Sequence, residues 1–154
     1  MNEEEARRRL AAARVGRLAT VTPAGAPHLV PLVFALVDDV LYSAVDSKPK
    51  TTVALQRLAN IEATGRASVL VDHYTEDWSA LWWIRVDGSA QVLAVDNERP
   101  RALVERGHRE QVRIAIEALT GKYPQYVSQP PTGPVIAVRV TRWHWWDASP
   151  TRSS

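Results

Sequence analysis

The sequence predicts a mainly β protein, with about six antiparallel strands and helices on their outside. Short apolar runs rich in β-branched and aromatic residues recur, with turn residues between them. The first three of these runs follow one another directly, which is typical of antiparallel hairpins and not of β-α-β units. Helical spacing occurs in three stretches, at the start of the chain and on either side of its middle strands. A closed or partly closed antiparallel barrel with flanking helices satisfies this pattern best.

The first half of the chain is predicted to hold one helix and three strands. Three glutamates at positions 3–5 each stand four residues before an arginine, which is the favourable order on a helix. We expect a strand over residues 16–22, a second strand over 27–37 and a third over 40–45, joined as a meander. The second strand is almost entirely apolar, so we expect it to be buried on both faces. Pro31 within it is unusual, because proline cannot donate to a strand ladder.

The second half of the chain adds two helices and three strands. In chain order these are a helix over residues 51–60, strands over 66–71 and 81–95 with a bulge or bend at Asp87-Gly88, a helix from Asp96 or Asn97 to Gly121, and a strand over 135–146. The segments 72–79 and 122–134 are predicted to be irregular, since they are rich in polar residues and in proline respectively. Without a repeat or a linker, we expect one domain over residues 1–148 and a disordered tail over 149–154.

Composition excludes several classes of function. The formal net charge of +2 is too small to make nucleic acid the main partner, and the absence of cysteine excludes disulfides and thiolate-bound metal. The four histidines are widely spaced, so we expect no metal site. The isolated glycines form no nucleotide-binding motif, and a Gly-x-Ser-x-Gly hydrolase motif is missing. No apolar run approaches a membrane span of about 20 residues. The acidic N-terminus is unlike a signal peptide, and we therefore expect a cytoplasmic protein.

The junction between the third strand and the following helix carries the clearest binding signal. Lys48, Lys50 and Thr51 crowd the start of that helix, directly after the strand that contains Ser43. A helix N-terminus already has partial positive charge, so two cations there are unfavourable unless an anion binds between them. A phosphate is the anion that such a site suits best. The alternative is a solvated loop whose lysines only aid solubility.

Tryptophan is over-represented, with six tryptophans against a single phenylalanine. They form two clusters, within residues 78–83 and 143–146. Large aromatic side chains anchor subunit interfaces and flat-ligand sites as well as protein cores. An apolar strand that can support a ring, together with a phosphate site at the next junction, is the combination that a flavin-type cofactor requires.

The order and spacing of several motifs match a known family. They are, in chain order, Val15-Gly16-Arg17-Leu18-Ala19-Thr20, Gly25-x-Pro27-x-x-x-Pro31, Leu41-Tyr42-Ser43, Lys48-x-Lys50-Thr51, Arg66-Ala67-Ser68-Val69-Leu70-Val71-Asp72 and Val86-Asp87-Gly88-Ser89-Ala90. Over roughly residues 3–146 the chain resembles the pyridoxamine 5′-phosphate oxidase-like split-barrel proteins. Within them it is most similar to the flavin and deazaflavin oxidoreductases that use coenzyme F-420.

This resemblance implies a six-stranded split β-barrel that forms a homodimer, with cofactor sites at the subunit interface. Lys48, Lys50 and Thr51 match the phosphate-binding residues of the family, and Ser43 ends the matching strand. The family's second strand lies along the cofactor ring, and the matching residues here are His28, Val30, Pro31, Leu32 and Val33. The partner subunit closes the site in the family, and we expect Trp82, Trp83 or the C-terminal tryptophans to do so here.

The predicted function is hydride transfer from a deazaflavin, coenzyme F-420, to a small and conjugated acceptor, with FMN as the alternative cofactor. A non-catalytic F-420- or flavin-binding protein is the competing prediction, because the sequence identifies no catalytic acid. A non-enzymatic, aromatic-rich dimer is a third. His28 either lies near the cofactor or the substrate, or is a surface histidine at a strand end. Arg85 either approaches the substrate or pairs with Asp87, and Arg66 is either a further phosphate ligand or a charge at a strand edge.

Overall fold

The computed structural model describes residues 1–45, 52–93 and 104–148. Its helices and strands are, in chain order, α1 (Glu3–Ala12), β1 (Gly16–Val21), β2 (Pro27–Leu32), β3 (Ala35–Val37), β4 (Val40–Ala44), α2 (Thr52–Thr64), β5 (Arg66–His73), β6 (Trp82–Leu93), α3 (Val104–Lys122), α4 (Gln125–Ser128) and β7 (Val135–Asp147), with a short 3-10 turn at Trp78–Ala80. None of the described helices is long and apolar enough to cross a membrane.

One antiparallel sheet contains the seven described strands, in the order β2-β1-β5-β6-β7-β4-β3. The mainly β class with flanking helices is confirmed, whereas the prediction of six strands is wrong. The apolar run over residues 27–37 forms two strands, because its ladder is interrupted at Val33 and Phe34. Both backbone polar groups of Phe34 instead bond to the hydroxyl of Tyr123, at 3.1 Å for the N–H and 2.9 Å for the carbonyl.

The pairings of the predicted meander are confirmed, because β1 pairs with β2 and β3 pairs with β4, both antiparallel. Its middle strand is divided, however, and the two halves separate. β2 and β3 are consecutive in the chain but lie at opposite edges of the sheet. Two residues separate them, and two residues can span less than about 11 Å between the flanking Cα atoms. The sheet must therefore curl until its edges approach each other. Among the described strands no ladder joins β2 to β3, so the sheet is curled but unclosed.

The interior of the curled sheet forms the main core. It is built from alternate residues of β1, β5, β6 and β7, together with Phe34, Leu10 of α1 and Ile61 of α2. The prediction that residues 27–37 are buried on both faces is wrong, because Leu29 is 66% exposed while Val30 is buried. The strand buried along its whole length is β4, since α3 packs on its second face.

Glycines mark the bulge in β6 and the end of α2. The register shifts between Asp87 and Gly88, which confirms the predicted bulge. A Cβ at Gly88 would lie 2.1 Å from the carbonyl oxygen of Arg139, so only glycine fits this approach. α2 runs four residues beyond its predicted end and is stopped by Gly65, whose φ is +65°. The predicted helix start at Asp96 or Asn97 and the predicted tail over 149–154 lie outside the described residues.

Candidate functional site

A pocket of about 690 Å³ opens where the β2–β3 corner, the end of β4 and α2 meet the segment after α3. We call it the Ser43 pocket. It is lined by Pro31, Leu32, Val33, Ser43, Ala44, Arg57, Gln125, Tyr126, Gln129, Pro130, Pro131 and Thr132. Its volume falls within the range of about 300–1,000 Å³ that is usual for small-molecule sites.

The wall of this pocket is fixed by hydrogen bonds inside the chain. Ser43 lies on the buried strand β4, and its hydroxyl donates to the carbonyl oxygen of Val33 at 2.7 Å. At the next residue, Phe34, the Tyr123 hydroxyl accepts from the backbone N–H. Its single proton is shared between the carbonyls of Phe34 and Arg14, each 2.9 Å away. The corner between β2 and β3 is therefore held in place before any ligand arrives.

The hydrogen bond of Ser43 limits what this side chain can do for a ligand. A hydroxyl has one proton, and that of Ser43 is directed at Val33. Its remaining lone pairs can accept a hydrogen bond but the group has no proton left to donate to a phosphate. Ser43 therefore suits a ring N–H or a hydroxyl of a ligand.

Arg57 supplies the charge of the pocket. Its side chain is half-buried, and its Nε is buried without a hydrogen-bond partner among the described residues. Burial lowers the pKa of Arg57, but a guanidinium remains charged at neutral pH. A desolvated cation without a counter-ion is unfavourable by itself. An anion bound in this pocket would provide the missing partner.

Sequence reasoning missed Arg57, although a signal for it exists. Arg57 stands four residues before Ile61, which is 1% exposed and faces the core. Residues four apart share one face of a helix, so the guanidinium is directed inward and not toward solvent. A charged residue on the buried stripe of an amphipathic helix could have been recognised from this spacing.

The structure brings only part of the predicted second-strand set to the pocket. Pro31, Leu32 and Val33 line it, as the resemblance implies. Val30 is directed into the main core. His28 lies beside Thr20 on β1, outside the described pocket lining, and its Nδ1 is buried without a hydrogen-bond partner among the described residues.

The two predicted tryptophans occupy opposite faces of β6. Trp82 packs against the core, stacks on His73 at 6.0 Å between ring centroids, and has the guanidinium of Arg9 5.2 Å from its ring centre. Trp83 is on the outward face and lines a second depression together with Leu29. Neither lies in the Ser43 pocket of its own chain, so their role toward a partner's cofactor stays a prediction.

The predicted phosphate residues Lys48, Lys50 and Thr51 lie outside the described residues. The last described residues before them, Ala44 and Val45, adjoin the pocket. Ala44 lines it, and the N–H of Val45 donates to the carbonyl of Pro134 at 2.9 Å. The chain therefore leaves β4 at the edge of the Ser43 pocket.

The chemistry of the described lining is that of binding and orientation. Its titratable side chains are Arg57 and Tyr126, and it contains no carboxylate, histidine or cysteine. Among the described residues, no group of three or more histidine and acidic side chains is placed to hold a metal ion. A reaction at this site would depend on groups that a bound cofactor supplies.

Comparison with protein families gives one match over nearly the whole chain. The model of the family described as pyridoxamine 5′-phosphate oxidase matches residues 2–147. A comparison with curated protein sequences gives no match.

Several solved structures have the same fold. An FAD-binding protein from Mesorhizobium loti is similar, with a TM-score of 0.65, 23% identity and 94% of each chain covered. A conserved hypothetical protein from Mycobacterium tuberculosis has a TM-score of 0.70 and 20% identity, over 100% of this chain and 92% of the other. A heme binding protein from Mycobacterium smegmatis has a TM-score of 0.61 and 24% identity, over 97% of this chain and 55% of the other. At these identities the likeness concerns the fold alone.

Proposed function

Because the chain belongs to the pyridoxamine 5′-phosphate oxidase family, we propose that it is an oxidoreductase that binds a flavin-type cofactor in the Ser43 pocket. The observation that carries this proposal is the buried Nε of Arg57, which has no hydrogen-bond partner among the described residues, in a pocket that Ser43 also lines. A phosphate on the cofactor gives Arg57 its counter-ion, and Ser43 accepts from an N–H or a hydroxyl of the same molecule.

The cofactor proposed first is the deazaflavin coenzyme F-420, with FMN as the alternative. Two similar structures are described as FAD-binding proteins, from Mesorhizobium loti and Mycobacterium smegmatis, which supports a flavin-type ring. The preference for F-420 depends on the sequence motifs that resemble the deazaflavin branch. Lys48, Lys50 and Thr51 complete the phosphate site in this proposal, since they follow the strand that ends at the pocket.

We also propose that the protein is a cytoplasmic homodimer. The outward face of the sheet presents Leu29, which is 66% exposed, with Trp83 and Tyr74 around the same depression. Exposed apolar side chains next to one another are typical of interaction surfaces. A second copy on this face covers them and brings its own Trp83 toward the cofactor.

The cofactor supplies the redox chemistry, a hydride from the deazaflavin ring to a small conjugated acceptor. The residues of this chain bind and orient it. Arg57 would neutralise the phosphate, and the backbone from Pro31 to Val33 would support the ring. The fixed β2–β3 corner would hold the ring and the phosphate in constant positions relative to each other. Orientation of this kind is a large part of what a protein contributes to such a reaction.

Titration of the purified protein with F-420 and with FMN tests this proposal, with quenching of tryptophan fluorescence as the readout. We expect the dissociation constant of F-420 to lie well below 100 μM, a value that corresponds to a binding free energy of about 5.5 kcal/mol. Replacement of both lysines, Lys48→Ala with Lys50→Ala, is expected to weaken binding strongly, because hydrogen bonds to phosphate that involve charged groups are strong. Failure of both cofactors to bind would refute the cofactor proposal, whereas tighter binding of FMN would reassign it.

The second candidate is a cofactor-binding protein without turnover. The absence of a carboxylate, histidine or cysteine from the described pocket lining favours it. Mixing the reduced cofactor complex with quinones, tetrapyrroles and nitroaromatic compounds separates the two candidates. Oxidation of the bound cofactor by any of them supports the enzyme, and tight binding without oxidation supports the carrier.

A further inference from the structure

A second open pocket, of about 650 Å³, lies on the outward side of the sheet, where β5 and β6 meet β1 and the middle of β7. We call it the Arg66–Arg142 pocket. It shares no lining residue with the Ser43 pocket. Arg66 begins β5, and Arg142 lies opposite Asp87 of β6, so the two arginines are two strands apart. Two strand spacings put their backbones about 10 Å apart laterally, close enough for both side chains to reach one small ligand.

The charges of this pocket are not balanced within the described residues. The side chains of Arg66 and Arg142 form no hydrogen bond or ion pair with any residue that the structure describes, although both backbones are paired in the sheet. The acidic side chain on the pocket wall is Asp87, and it has other partners. It accepts from Ser68 at 2.6 Å, pairs with Arg85 at 3.1 Å, and lies 3.2 Å from Nε2 of His144.

The partners of Asp87 keep it ionised, since they lower the pKa of its carboxyl against the opposing effect of burial. One negative charge among Arg66, Arg85 and Arg142 leaves the pocket with a surplus of positive charge. A ligand for this pocket must therefore carry negative charge that compensates the positive charge of Arg66 and Arg142.

Hydroxyl groups line the same pocket, and they differ in whether their proton is already donated to an acceptor within the chain. Thr64, Ser68 and Thr141 each donate to an acceptor in the chain. Ser89 also lines the pocket, opposite Arg66 in the register, and its hydroxyl has no hydrogen bond to any described residue. Two guanidinium groups therefore share one opening with the hydroxyl of Ser89. The hydroxyl of Thr20 also lines the pocket, but it is buried and accepts from Asn60 at 3.1 Å.

We propose that the Arg66–Arg142 pocket is a second anion-binding site, which takes a dianionic group such as a phosphate monoester or a dicarboxylate. The forked geometry of a guanidinium matches the paired oxygens of both groups. Arg66 and Arg142 hold the anion from two sides and Ser89 donates to it. The proposal is independent of the cofactor of the Ser43 pocket, and it adds a second anionic group to what the protein recognises. The Arg66–Arg142 pocket shares Ala19 and Ser68 with the depression around Leu29, so the bound anion would lie beside the proposed dimer face.

Titration of the 15N-labelled protein with inorganic phosphate, and separately with succinate, tests this proposal at constant ionic strength set with chloride. We expect saturable shifts of the backbone amide signals of Gly65, Ser89 and Thr141, in the millimolar range. The phosphate arm and the succinate arm report which of the two anions the site prefers. Inorganic phosphate requires no assumption about the cofactor.

The variant R66Q with R142Q is expected to bind the preferred anion at least about tenfold more weakly, because both charge-assisted contacts are lost. R8Q with R109Q removes the same charge from two exposed arginines elsewhere and is the matched control, expected to bind as the parent does. The amide spectra of both variants report whether they are folded, and each single replacement at Arg66 or Arg142 is measured as well.

Equal shifts in all variants, or shifts without saturation, would overturn the proposal. Shifts confined to Ala44 and Arg57 would do so too, while leaving the cofactor proposal for the Ser43 pocket intact.

Discussion

Arginine side chains have different surroundings at α1 and at the Ser43 pocket. On α1, Arg7 donates to Asp39 at 2.7 Å and lies 4.5 Å from the ring centre of Trp143. Arg9 pairs with Glu5 and lies over Trp82. Arg57 has no such partner among the described residues and is partly desolvated. Arg7 and Arg9 hold α1 on the sheet, whereas no described residue offsets the desolvation of Arg57.

The largest expected effect is that of Arg57→Gln on cofactor binding. Loss of the charge-assisted contacts is expected to weaken the binding of F-420 or FMN by about 2–3 kcal/mol, roughly a hundredfold. Without ligand, the free energy of unfolding should stay the same or rise, because a desolvated cation is removed. Fluorescence titration and urea denaturation measure the two quantities, with Arg8→Gln as a control on an exposed arginine. A loss of stability without a loss of affinity would make Arg57 a structural residue.

Tyr123→Phe tests whether the wall of the Ser43 pocket is preformed. Its hydroxyl serves three backbone groups, and two of them belong to the buried residue Phe34. Leaving buried groups without partners is expected to lower the free energy of unfolding by about 2 kcal/mol. Urea denaturation measures this loss. Tyr74→Phe is the control, because Tyr74 is 62% exposed, and equal effects of the two replacements would contradict this role.

A smaller effect is expected for Arg9→Gln, on stability alone. The variant loses an ion pair with Glu5 and the contact with the ring of Trp82. Each of these two interactions is partly exposed and contributes at most about 0.5–1 kcal/mol to the free energy of unfolding. Cofactor affinity should not change, which is the reverse of the result expected for Arg57→Gln. A large loss of affinity would show that α1 contributes to the site.

A pH dependence is expected from Lys122, a half-buried cation whose partners are a carbonyl and two rings. Its ammonium donates to the carbonyl of Ala13 at 2.7 Å and lies 4.2 Å from the ring centre of Phe34. Burial lowers the pKa of Lys122 to about 8, from an ordinary value of 10.5. Between these values the unfolded chain holds a proton that the folded protein has released, so the free energy of unfolding rises with pH across this window.

Urea denaturation of the parent and of Lys122→Met, at pH values from about 7.5 to about 9.5, measures this dependence. The rise with pH should be smaller in the variant. The limit near 9.5 avoids the ionisation of Tyr42 and Tyr123, because burial raises the pKa of both phenols. Identical pH dependence in the two proteins would show that Lys122 remains fully charged in the folded state.

Most elements could be predicted from local patterns, and the sheet order could not. The bulge at Asp87-Gly88 and the strand over 135–146 depend on residues adjacent in sequence, and both are observed. The division of the run over residues 27–37 depends on Tyr123, 89 residues away from Phe34. A hydrophobic pattern cannot report such a partner. One continuous strand was therefore the natural prediction.

The candidate site shows the same limit. Pro31, Leu32, Val33 and Ser43 could be assigned from the motifs, and they line one pocket. Residues 125–132 supply the opposite wall from a segment that had no chemical signal in the sequence. Arg57 had a signal in its helical spacing. The lysines of the neighbouring loop give a stronger sequence signal for an anion site, and this signal obscures that of Arg57.

The position of β7 has a consequence for the time at which the protein can fold. β7 is the last of the described strands, yet it pairs with β6 on one side and with β4 on the other. Among the described strands, the β3–β4 hairpin pairs with the rest of the sheet through β7 alone, so Val40 cannot pair with β7 before Arg139 has been synthesised. Sheets that depend on such distant pairings form slowly. During synthesis, the ribosome releases a hairpin with an exposed apolar edge long before its partner emerges, so this edge is where chaperones would be expected to bind.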